Sequence, residues 1–190
     1  MNRIVAITGT PGTGKSRLAK IIKKRCREAA LIEINDIVKS QKLFSGRDGF
    51  GSMIVDMKRL NAAIRNRLRN ERGRTVLLVG HLAPELSIRY DIAIVTRARL
   101  ATLLARLKER RYPEGKIKEN IISEALDYCG ETIKSRCREF YEVEDAAEIK
   151  KVSNYLVGLC NGKNPKKPGT IEVDSLGELY GLIKNGTLHA

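Results

Sequence analysis

Apolar runs and amphipathic segments alternate along the first two thirds of the chain. Short, mainly apolar runs with β propensity occupy residues 4–8, 30–33, 75–79 and 92–95. Between them, apolar side chains recur at helical spacing over residues 15–27, 56–72 and 100–110. Short buried strands separated by such helices are typical of a parallel sheet with helices on both faces. The pattern therefore predicts a three-layer α/β fold.

The last third carries more predicted helix than strand. Helical periodicity extends from residue 117 to about 140, and further helices are predicted over residues 146–160 and 176–183. Residues 171–173 are predicted to add a strand, which would bring the parallel sheet to about five strands. Residues 44–51, rich in glycine, and residues 161–169, rich in proline and charge, are predicted to be loops. No repeat or linker divides the chain, so residues 1–190 are predicted to form a single domain.

The clearest chemical signal follows the first predicted strand. The chain there reads Gly9-Thr10-Pro11-Gly12-Thr13-Gly14-Lys15-Ser16, which matches the phosphate-loop pattern G-x-x-x-x-G-K-[ST] at every defined position. Glycines allow the loop to turn tightly and to aim backbone N–H groups at phosphate oxygens, while the following helix adds its partial positive charge. We predict that Lys15 reaches the β- and γ-phosphates of ATP and that the Ser16 hydroxyl binds Mg²⁺.

The remaining motifs favour a small kinase over a GTPase. The sequence lacks the guanine-reading N-K-x-D motif, and its D-x-x-G at residues 127–130 lies inside a helical pattern. Arg106 and Arg110 are four residues apart, so on a helix they project from one face and can converge on one phosphate cluster. The alternative interpretation of these arginines is an exposed basic surface. We predict a short lid over about residues 106–118 and an acceptor-binding insert over about residues 34–55.

Charge and composition add a second class of partner. Lys and Arg outnumber Asp and Glu by 36 to 22, which gives a net charge of +14. This excess is greater than nucleotide binding needs, and it favours a polyanionic partner such as RNA, although solvated helix faces explain any single basic cluster equally well. The four cysteines form no C-x-x-C pair and the two histidines are far apart, so no zinc site is predicted. The first apolar run is too short for a secretion signal or a membrane span, and a cytoplasmic protein without membrane contact is expected.

The chain resembles the adenylate kinases of the isoenzyme-six type, also called CINAP, and their archaeal relatives. The resemblance covers roughly residues 4–131. It rests on the phosphate loop, Ile34-Asn35-Asp36, Val55-Asp56, His81 and the lid segment from Arg106 to Tyr112 with Lys116 and Asn120-Ile121. It implies a P-loop nucleoside-monophosphate-kinase fold and the reaction ATP + AMP to 2 ADP, with an accompanying ATPase activity. It further implies a role in small ribosomal subunit maturation beside a ribosomal protein, with rRNA as a further partner.

The resemblance also implies roles for individual residues. The implied ATP and Mg²⁺ contacts are Gly12, Thr13, Gly14, Lys15, Ser16, Arg17 and the lid residue Arg110. Asp36 and Lys39 fall in the segment that resembles the monophosphate-binding helix, where the family often has an arginine in place of Lys39. The catalytic group would comprise Lys15, Arg106, Arg110 and His81, with His81 positioning the acceptor or an attacking water.

One departure from the family concerns the strand that ends at Val79-Gly80-His81. Family members typically end this strand with D-x-H, whose Asp orders Mg²⁺ and its water shell, whereas this chain has Val79. Asp56 and Asp91 are two candidate replacements, between which the sequence gives no choice. Two functional hypotheses follow: a nucleoside-monophosphate kinase or ATPase, and a nucleotide-gated assembly factor with little chemistry.

Overall fold

The structure is a computed structural model that describes residues 2–71, 74–171 and 173–188. Its strands are β1 (Arg3–Thr8), β2 (Ala30–Glu33), β3 (Phe44–Arg47), β4 (Met53–Val55), β5 (Thr75–Val79), β6 (Tyr90–Thr96) and β7 (Cys137–Val143). Its α-helices are α1 (Lys15–Arg25), α2 (Ile34–Ser40), α3 (Met57–Arg69), α4 (Leu100–Glu109), α5 (Glu114–Ala125), α6 (Tyr128–Lys134), α7 (Ala146–Cys160) and α8 (Leu176–Lys184). A short 3₁₀ helix spans Ala83–Glu85.

A five-stranded parallel sheet forms the centre of the fold, with strand order β2-β5-β1-β6-β7. Strand β1 is central because its uncharged residues are buried on both faces, as a strand between two helical layers requires. Helices α1 and α7 cover one face, where Leu18 and Ile22 pack with Val5 and Ile7. Helices α2, α3 and α6 cover the other face, and α4, α5 and α8 form a third apolar cluster beside the sheet. The predicted three-layer α/β fold is confirmed.

The fifth strand is not the one predicted. It is β7, which overlaps the end of the segment predicted to be helical up to about residue 140 and pairs with β6. The helical prediction was wrong for residues 137–140, where Arg138 and Glu139 make the strand look like a solvated helix. Further along β7, Glu142 is buried against a charged partner. Ile171 and Val173 are not in a strand, and the third residue of that predicted strand, Glu172, lies outside the described residues.

The glycine-rich segment predicted to be a loop is an antiparallel hairpin of β3 and β4. Asp48 organises its turn by accepting backbone hydrogen bonds from Phe50 (2.9 Å) and Ser52 (2.8 Å). Helix α2 begins at Ile34, with Glu33 at the N-cap position. Helix α3 begins after Asp56, whose carboxylate accepts from the Arg59 N–H at 3.0 Å. It ends at Arg69, before the predicted end at residues 72–73, which themselves lie outside the described residues.

The segment predicted as a lid is a corner between two helices. Helix α4 ends at Glu109 and α5 begins at Glu114, so residues 110–113 alone are non-helical. The D-x-x-G sequence starts helix α6, because the Asp127 carboxylate accepts a hydrogen bond from the Gly130 N–H at 3.2 Å. This sequence is thus a helix cap, in agreement with its rejection as a GTPase motif.

Candidate active site

A cleft of about 950 Å³ opens at the carboxyl edge of the parallel sheet. The segments that follow β1, β2 and β5 meet there, which is where ligands bind in open α/β sheets. The hairpin and helices α5 and α6 form the opposite wall. The polar and charged residues that line the cleft are Thr10, Lys15, Ser16, Arg17, Asn35, Lys39, Arg47, Ser52, His81, Glu85, Arg110, Tyr112, Lys116, Glu119, Asn120, Ser123, Tyr128 and Cys129.

The phosphate loop depends on two glycines that lie against neighbouring elements. Gly9 has φ +135°, and a Cβ there would overlap the Thr96 carbonyl at the end of β6. Gly12 has φ +101°, and a Cβ there would lie 2.8 Å from Leu103 Cδ1 on α4. Both backbones are in the region that favours glycine, and both have a wall behind them. The loop is therefore held by β6 on one side and α4 on the other.

Helix α4 also holds the loop through Arg106, whose exposed guanidinium donates a hydrogen bond to the Gly12 carbonyl at 3.0 Å. This contact differs from the expectation that Arg106 and Arg110 converge on one phosphate cluster. Arg110 lines the cleft, while Arg106 is not among the lining residues. Arg106 thus acts on the shape of the loop, and Arg110 faces the space that a ligand would occupy.

The Lys15 ammonium group lies at the bottom of the loop. It donates hydrogen bonds to the carbonyl oxygens of Gly9 (2.7 Å) and Thr10 (2.9 Å). The pKa of Lys15 is lowered to about 8, mainly by burial and in part by the Arg110 cation, against the opposing effects of Cys129, Glu124 and Glu33. A half-buried cation with only neutral carbonyl partners is well suited to receive an anion, because phosphate oxygens would restore its charge balance.

His81 follows β5 and lines the cleft close to two cations. Burial lowers its pKa to about 4, and the nearby charges of Lys15 and Lys116 contribute in the same direction. The imidazole is therefore neutral at pH 7. In that state it has one N–H donor and one acceptor nitrogen with which to orient a ligand group or a water, but it lacks the acidic proton of an imidazolium.

The hairpin and the corner between α4 and α5 are already in contact. The Lys116 ammonium donates to the Ser52 hydroxyl at 2.5 Å and lies 5.0 Å from the centre of the Tyr112 ring. The Phe50 ring packs so closely on Gly115 that a Cβ there would overlap it. The predicted insert and the predicted lid therefore join to form one roof over the cleft, which we call the hairpin–lid roof.

Comparison with known proteins identifies the family of this chain. A family model described as an AAA domain matches residues 5–127. Proteins named "Putative adenylate kinase" from Methanosarcina mazei and Archaeoglobus fulgidus are 30% and 32% identical to it, over 91% and 95% of this chain and 99% and 96% of their own lengths. The adenylate kinase isoenzyme 6 homolog FAP7 of Saccharomyces cerevisiae is 31% identical over 76% of this chain and 71% of its own length. The chain belongs to the adenylate kinase isoenzyme 6 family.

Solved structures outside this family share its fold. Shikimate kinase from Acinetobacter baumannii matches 87% of this chain and 95% of its own, with a TM-score of 0.57 at 13% identity. A sugar kinase from Janibacter sp. HTCC2649 matches 87% of this chain and 100% of its own, with a TM-score of 0.58 at 11% identity. Identities this low show the fold alone, which is that of P-loop kinases. Among the described residues, no helix is long and apolar enough to cross a membrane.

The structure places the residues suggested by the family resemblance unevenly. Gly12, Gly14, Ser16, Arg17 and Lys39 line the cleft beside Lys15, His81 and Arg110. Two others do not. The Thr13 side chain points away, donating to the Thr10 carbonyl at 2.9 Å and lying 2.7 Å from the Thr96 hydroxyl, and Asp36 is exposed on the outer side of α2.

Several lining residues had no predicted role in ligand binding, among them Asn35, Glu85, Tyr128 and Cys129. Cys129 is buried close to Lys15, and burial raises the pKa of its thiol, which is therefore neutral at pH 7. Tyr128 donates a hydrogen bond to Glu85 and so joins α6 to the 3₁₀ helix. The D-x-x-G sequence could have pointed to Tyr128 and Cys129, because both residues lie in the first turn of the helix that this sequence starts.

A buried ion cluster supports the cleft from behind. The Arg97 guanidinium contacts Glu124 (3.0 Å), Asp127 (2.9 Å) and Glu142 (2.5 Å), and so ties β6, α5, α6 and β7 together. Arg97 directly follows Thr96, whose backbone lies against Gly9. Burial raises the pKa of Asp127 to about 6, with Arg97 opposing this shift and Glu142 adding to it.

The residues in the cleft fit a magnesium nucleotide better than a protein-bound metal. Within residues 2–71, 74–171 and 173–188, no three His, Cys, Asp or Glu side chains gather closely enough to hold a metal ion by themselves. Ser16, however, lines the cleft at the start of α1, next to the Lys15 cation. A divalent ion here would depend on phosphate oxygens for most of its ligands, as Mg²⁺ does when it arrives with ATP.

Proposed function

We propose that this protein is an ATP-dependent nucleoside-monophosphate kinase that converts ATP and AMP to two ADP, and that it hydrolyses ATP slowly when the acceptor is absent. The observation that carries this proposal is the shared cleft. The phosphate loop with Lys15 lies on one side of it and α2 on the other side, and the hairpin–lid roof covers both. A volume of about 950 Å³ can accept the reacting ends of two nucleotides.

In this proposal the donor is held by the phosphate loop. The N–H groups of Gly12 and Gly14, the Lys15 ammonium and Arg17 bind the phosphates of ATP. Ser16 would provide a ligand for the Mg²⁺ that accompanies the nucleotide, and the bound ion would supply charge neutralisation. A phosphate oxygen of AMP attacks the γ-phosphorus, the bond from that phosphorus to the β–γ bridging oxygen breaks, and ADP leaves with that oxygen. Arg110 stabilises the charge of the transferred group.

The acceptor side uses different residues. Lys39 and Asn35 on α2 line the cleft and are assigned to the AMP phosphate, whereas the exposed Asp36 receives no such role. Lys39 binds as a point charge, without the two-pronged recognition that an arginine would provide. Neutral His81 orients the acceptor oxygen, or a water in its place, by a hydrogen bond.

The test is an assay that measures ADP formation from Mg·ATP with and without AMP. We expect the rate with AMP to exceed the rate without it by at least tenfold, because water is the poorer acceptor in a site built to exclude it. Equal rates would make the protein an ATPase. ATP binding without ADP formation in either arm would favour the second candidate.

The second candidate is a nucleotide-gated factor that binds rRNA and a small-subunit ribosomal protein during ribosome maturation in the cytoplasm. Two observations favour it: Val79 in place of the usual carboxylate, and the net charge of +14. Binding to a small-subunit rRNA fragment is measured between 50 and 200 mM KCl, in the presence of ADP and of a non-hydrolysable ATP analogue. This candidate predicts a steep loss of affinity with salt and a different affinity with each nucleotide. A flat salt response would show that the basic clusters are solvated surface and do not contact RNA phosphates.

A further inference from the structure

The register of the sheet places a carboxylate beside the position where this chain has Val79. Glu33, the last residue of β2, pairs with Val79 on β5, and Val79 in turn pairs with Ile7 on β1. Neighbouring strands are about 4.8 Å apart. Glu33 therefore lies level with Val79 at the carboxyl edge of the sheet, but one strand further from the phosphate loop.

Glu33 is also on the side of the sheet that carries the phosphate loop. Side chains alternate between the two faces of a strand, and Leu31, two residues earlier, packs with the cluster that contains Val79 and Leu18. Helix α1 covers this same face, and Lys15 and Ser16 are its first residues. The negative charge of Glu33 acts on Lys15, whose pKa it raises against the larger effect of burial.

The Glu33 carboxylate has no protein partner of its own. It is half-buried, and with the described residues it forms neither a hydrogen bond nor an ion pair. Although Glu33 holds the N-cap position of α2, its side chain does not cap the helix. A half-buried carboxylate without donors is costly, so this group is available to a cation or to water bound to one.

The two candidate replacements for the missing carboxylate are occupied or remote. The Asp91 carboxylate is near the start of β6, at the opposite edge of the sheet, where it accepts from the Ile4 N–H at 2.8 Å. Asp56 caps helix α3.

Other acidic groups near the cleft are already paired or belong to the opposite wall. Glu124 and Asp127 share the Arg97 guanidinium, and Glu85 accepts from Tyr128. Glu119 is exposed on α5, across the cleft from the phosphate loop. Glu33 does not line the cleft wall, so its contact with a metal ion there has to pass through bound water.

We propose that Glu33 orders the Mg²⁺ that accompanies the nucleotide, by accepting hydrogen bonds from water bound to the ion. In this protein Glu33, on the neighbouring strand β2, takes the role of the carboxylate that the family typically carries at the end of β5. This inference rests on the proposed nucleotide-binding function, and it assigns Glu33 as a positioning residue.

The experiment measures ADP affinity by calorimetry in EDTA and then across a MgCl₂ titration, for the unaltered protein and for Glu33→Gln. We expect Glu33→Gln to raise the Mg²⁺ concentration at half-maximal effect by about 10-fold to 100-fold, the usual result of losing an outer-shell partner. Affinity in EDTA should stay equal or increase, because a negative charge near the phosphates is removed. Glu28→Gln, an exposed site before β2 with the same loss of charge, should leave the Mg²⁺ midpoint unchanged.

Two further variants distinguish the loss of the Mg²⁺ contact from a loss of folding. Glu33→Asp keeps the charge and should give an intermediate midpoint, and Val79→Asp added to Glu33→Gln should restore the Mg²⁺ response one strand away. An unchanged midpoint in Glu33→Gln, or a shift in Glu119→Gln instead, would overturn the role of Glu33 while leaving the kinase proposal intact. If the unaltered protein does not bind ADP at all, the proposed function itself fails.

Discussion

The two carbonyl contacts of Lys15 show how a half-buried cation is kept in place before any anion arrives. We predict that Lys15→Ala lowers ATP affinity by at least on the order of tenfold and abolishes measurable turnover, because the charge-assisted contacts to the β- and γ-phosphates are lost. Lys24→Ala, an exposed site on the same helix, is the control and should behave as the unaltered protein. Equilibrium binding and initial rates measure both effects, and normal ATP affinity in Lys15→Ala would contradict the assignment of the phosphate loop.

The lowered pKa of Lys15 has its own pH dependence. Since this pKa is about 8 in the free protein, the cation is present below pH 8 and is lost as the pH rises above it. Binding of ADP should therefore weaken between pH 7.5 and 9.5 and take up a proton in that range. Calorimetry in buffers of different ionisation enthalpy measures the uptake, and its absence in Lys15→Arg would tie the effect to this residue.

Arg106, Arg110 and Arg111 carry the same guanidinium group at three different positions relative to the cleft, so their variants test the effect of position alone. Arg110 lines the cleft, Arg106 holds the Gly12 carbonyl and Arg111 does not line the cleft. We expect Arg110→Ala to lower turnover by on the order of 10³ with a smaller effect on ATP binding, since the arginine acts on the transferred phosphoryl group. Arg111→Ala is the matched control. A loss of only a few-fold in Arg110→Ala would assign that residue to the basic surface.

How far the site could be predicted from sequence depends on the range of the interaction. The phosphate loop is local, so its pattern predicted Lys15 and Ser16 from spacing alone. Glu33 and Cys129 reach the neighbourhood of Lys15 through strand register and helix packing, which no local pattern encodes. Val79 was identified as a departure from the family, but only the pairing of β2 with β5 showed which residue lies beside it.

At the level of secondary-structure elements, the core strands of the parallel sheet could be predicted, whereas strand β7 and the hairpin of β3 and β4 could not. Strands β1, β2 and β5 are apolar runs apart from their ends at Arg3, Thr8, Glu33 and Thr75, because helices cover both faces of the sheet. Strand β7 is at the edge of the sheet and carries charges, one of which, Glu142, is paired only through the tertiary structure. The hairpin was missed because its glycines allow a loop equally well, and its order comes from contacts with α5.

The hairpin–lid roof gives a prediction at this scale. Gly115→Ala should displace the Phe50 ring, and because that ring is 40% exposed and able to move, we expect the melting temperature to fall by only about 2–4 °C. Trypsin should then cut faster at Arg47 in the hairpin. In a Phe50→Ala background the same substitution should have no further effect on either measurement. Equal effects of Gly115→Ala in both backgrounds would mean that the contact does not hold the roof together.

For the molecule as a whole, the Arg97 cluster should make stability depend on pH. The pKa of Asp127 is raised from an ordinary 3.8 to about 6, so between these values the folded state binds more protons than the unfolded state. The contribution of Asp127 to the free energy of unfolding therefore decreases as the pH rises from 4 to 6. Asp127→Asn should flatten this part of the curve, since Asn tolerates the positive φ of 48° and caps a helix equally well.

Urea unfolding at a series of pH values measures this dependence. Glu131→Gln, an exposed substitution on α6, serves as the control and should keep the slope of the unaltered protein. A curve for Asp127→Asn that parallels the unaltered protein between pH 4 and 6 would show that other groups in the cluster take up the proton.

The position of β7 also affects how the protein folds while it is being synthesised. Strand β6 is complete at Thr96, but its outer partner ends at Val143, so the nascent sheet has an open edge until those residues have left the ribosome. Until β7 has been synthesised, Arg97 lacks its partner Glu142. Its other two partners, Glu124 and Asp127, are also synthesised later than Arg97 itself. An open apolar edge beside an uncompensated cation favours premature strand pairing between chains. Chains truncated before β7 should therefore aggregate, although they contain the whole phosphate loop.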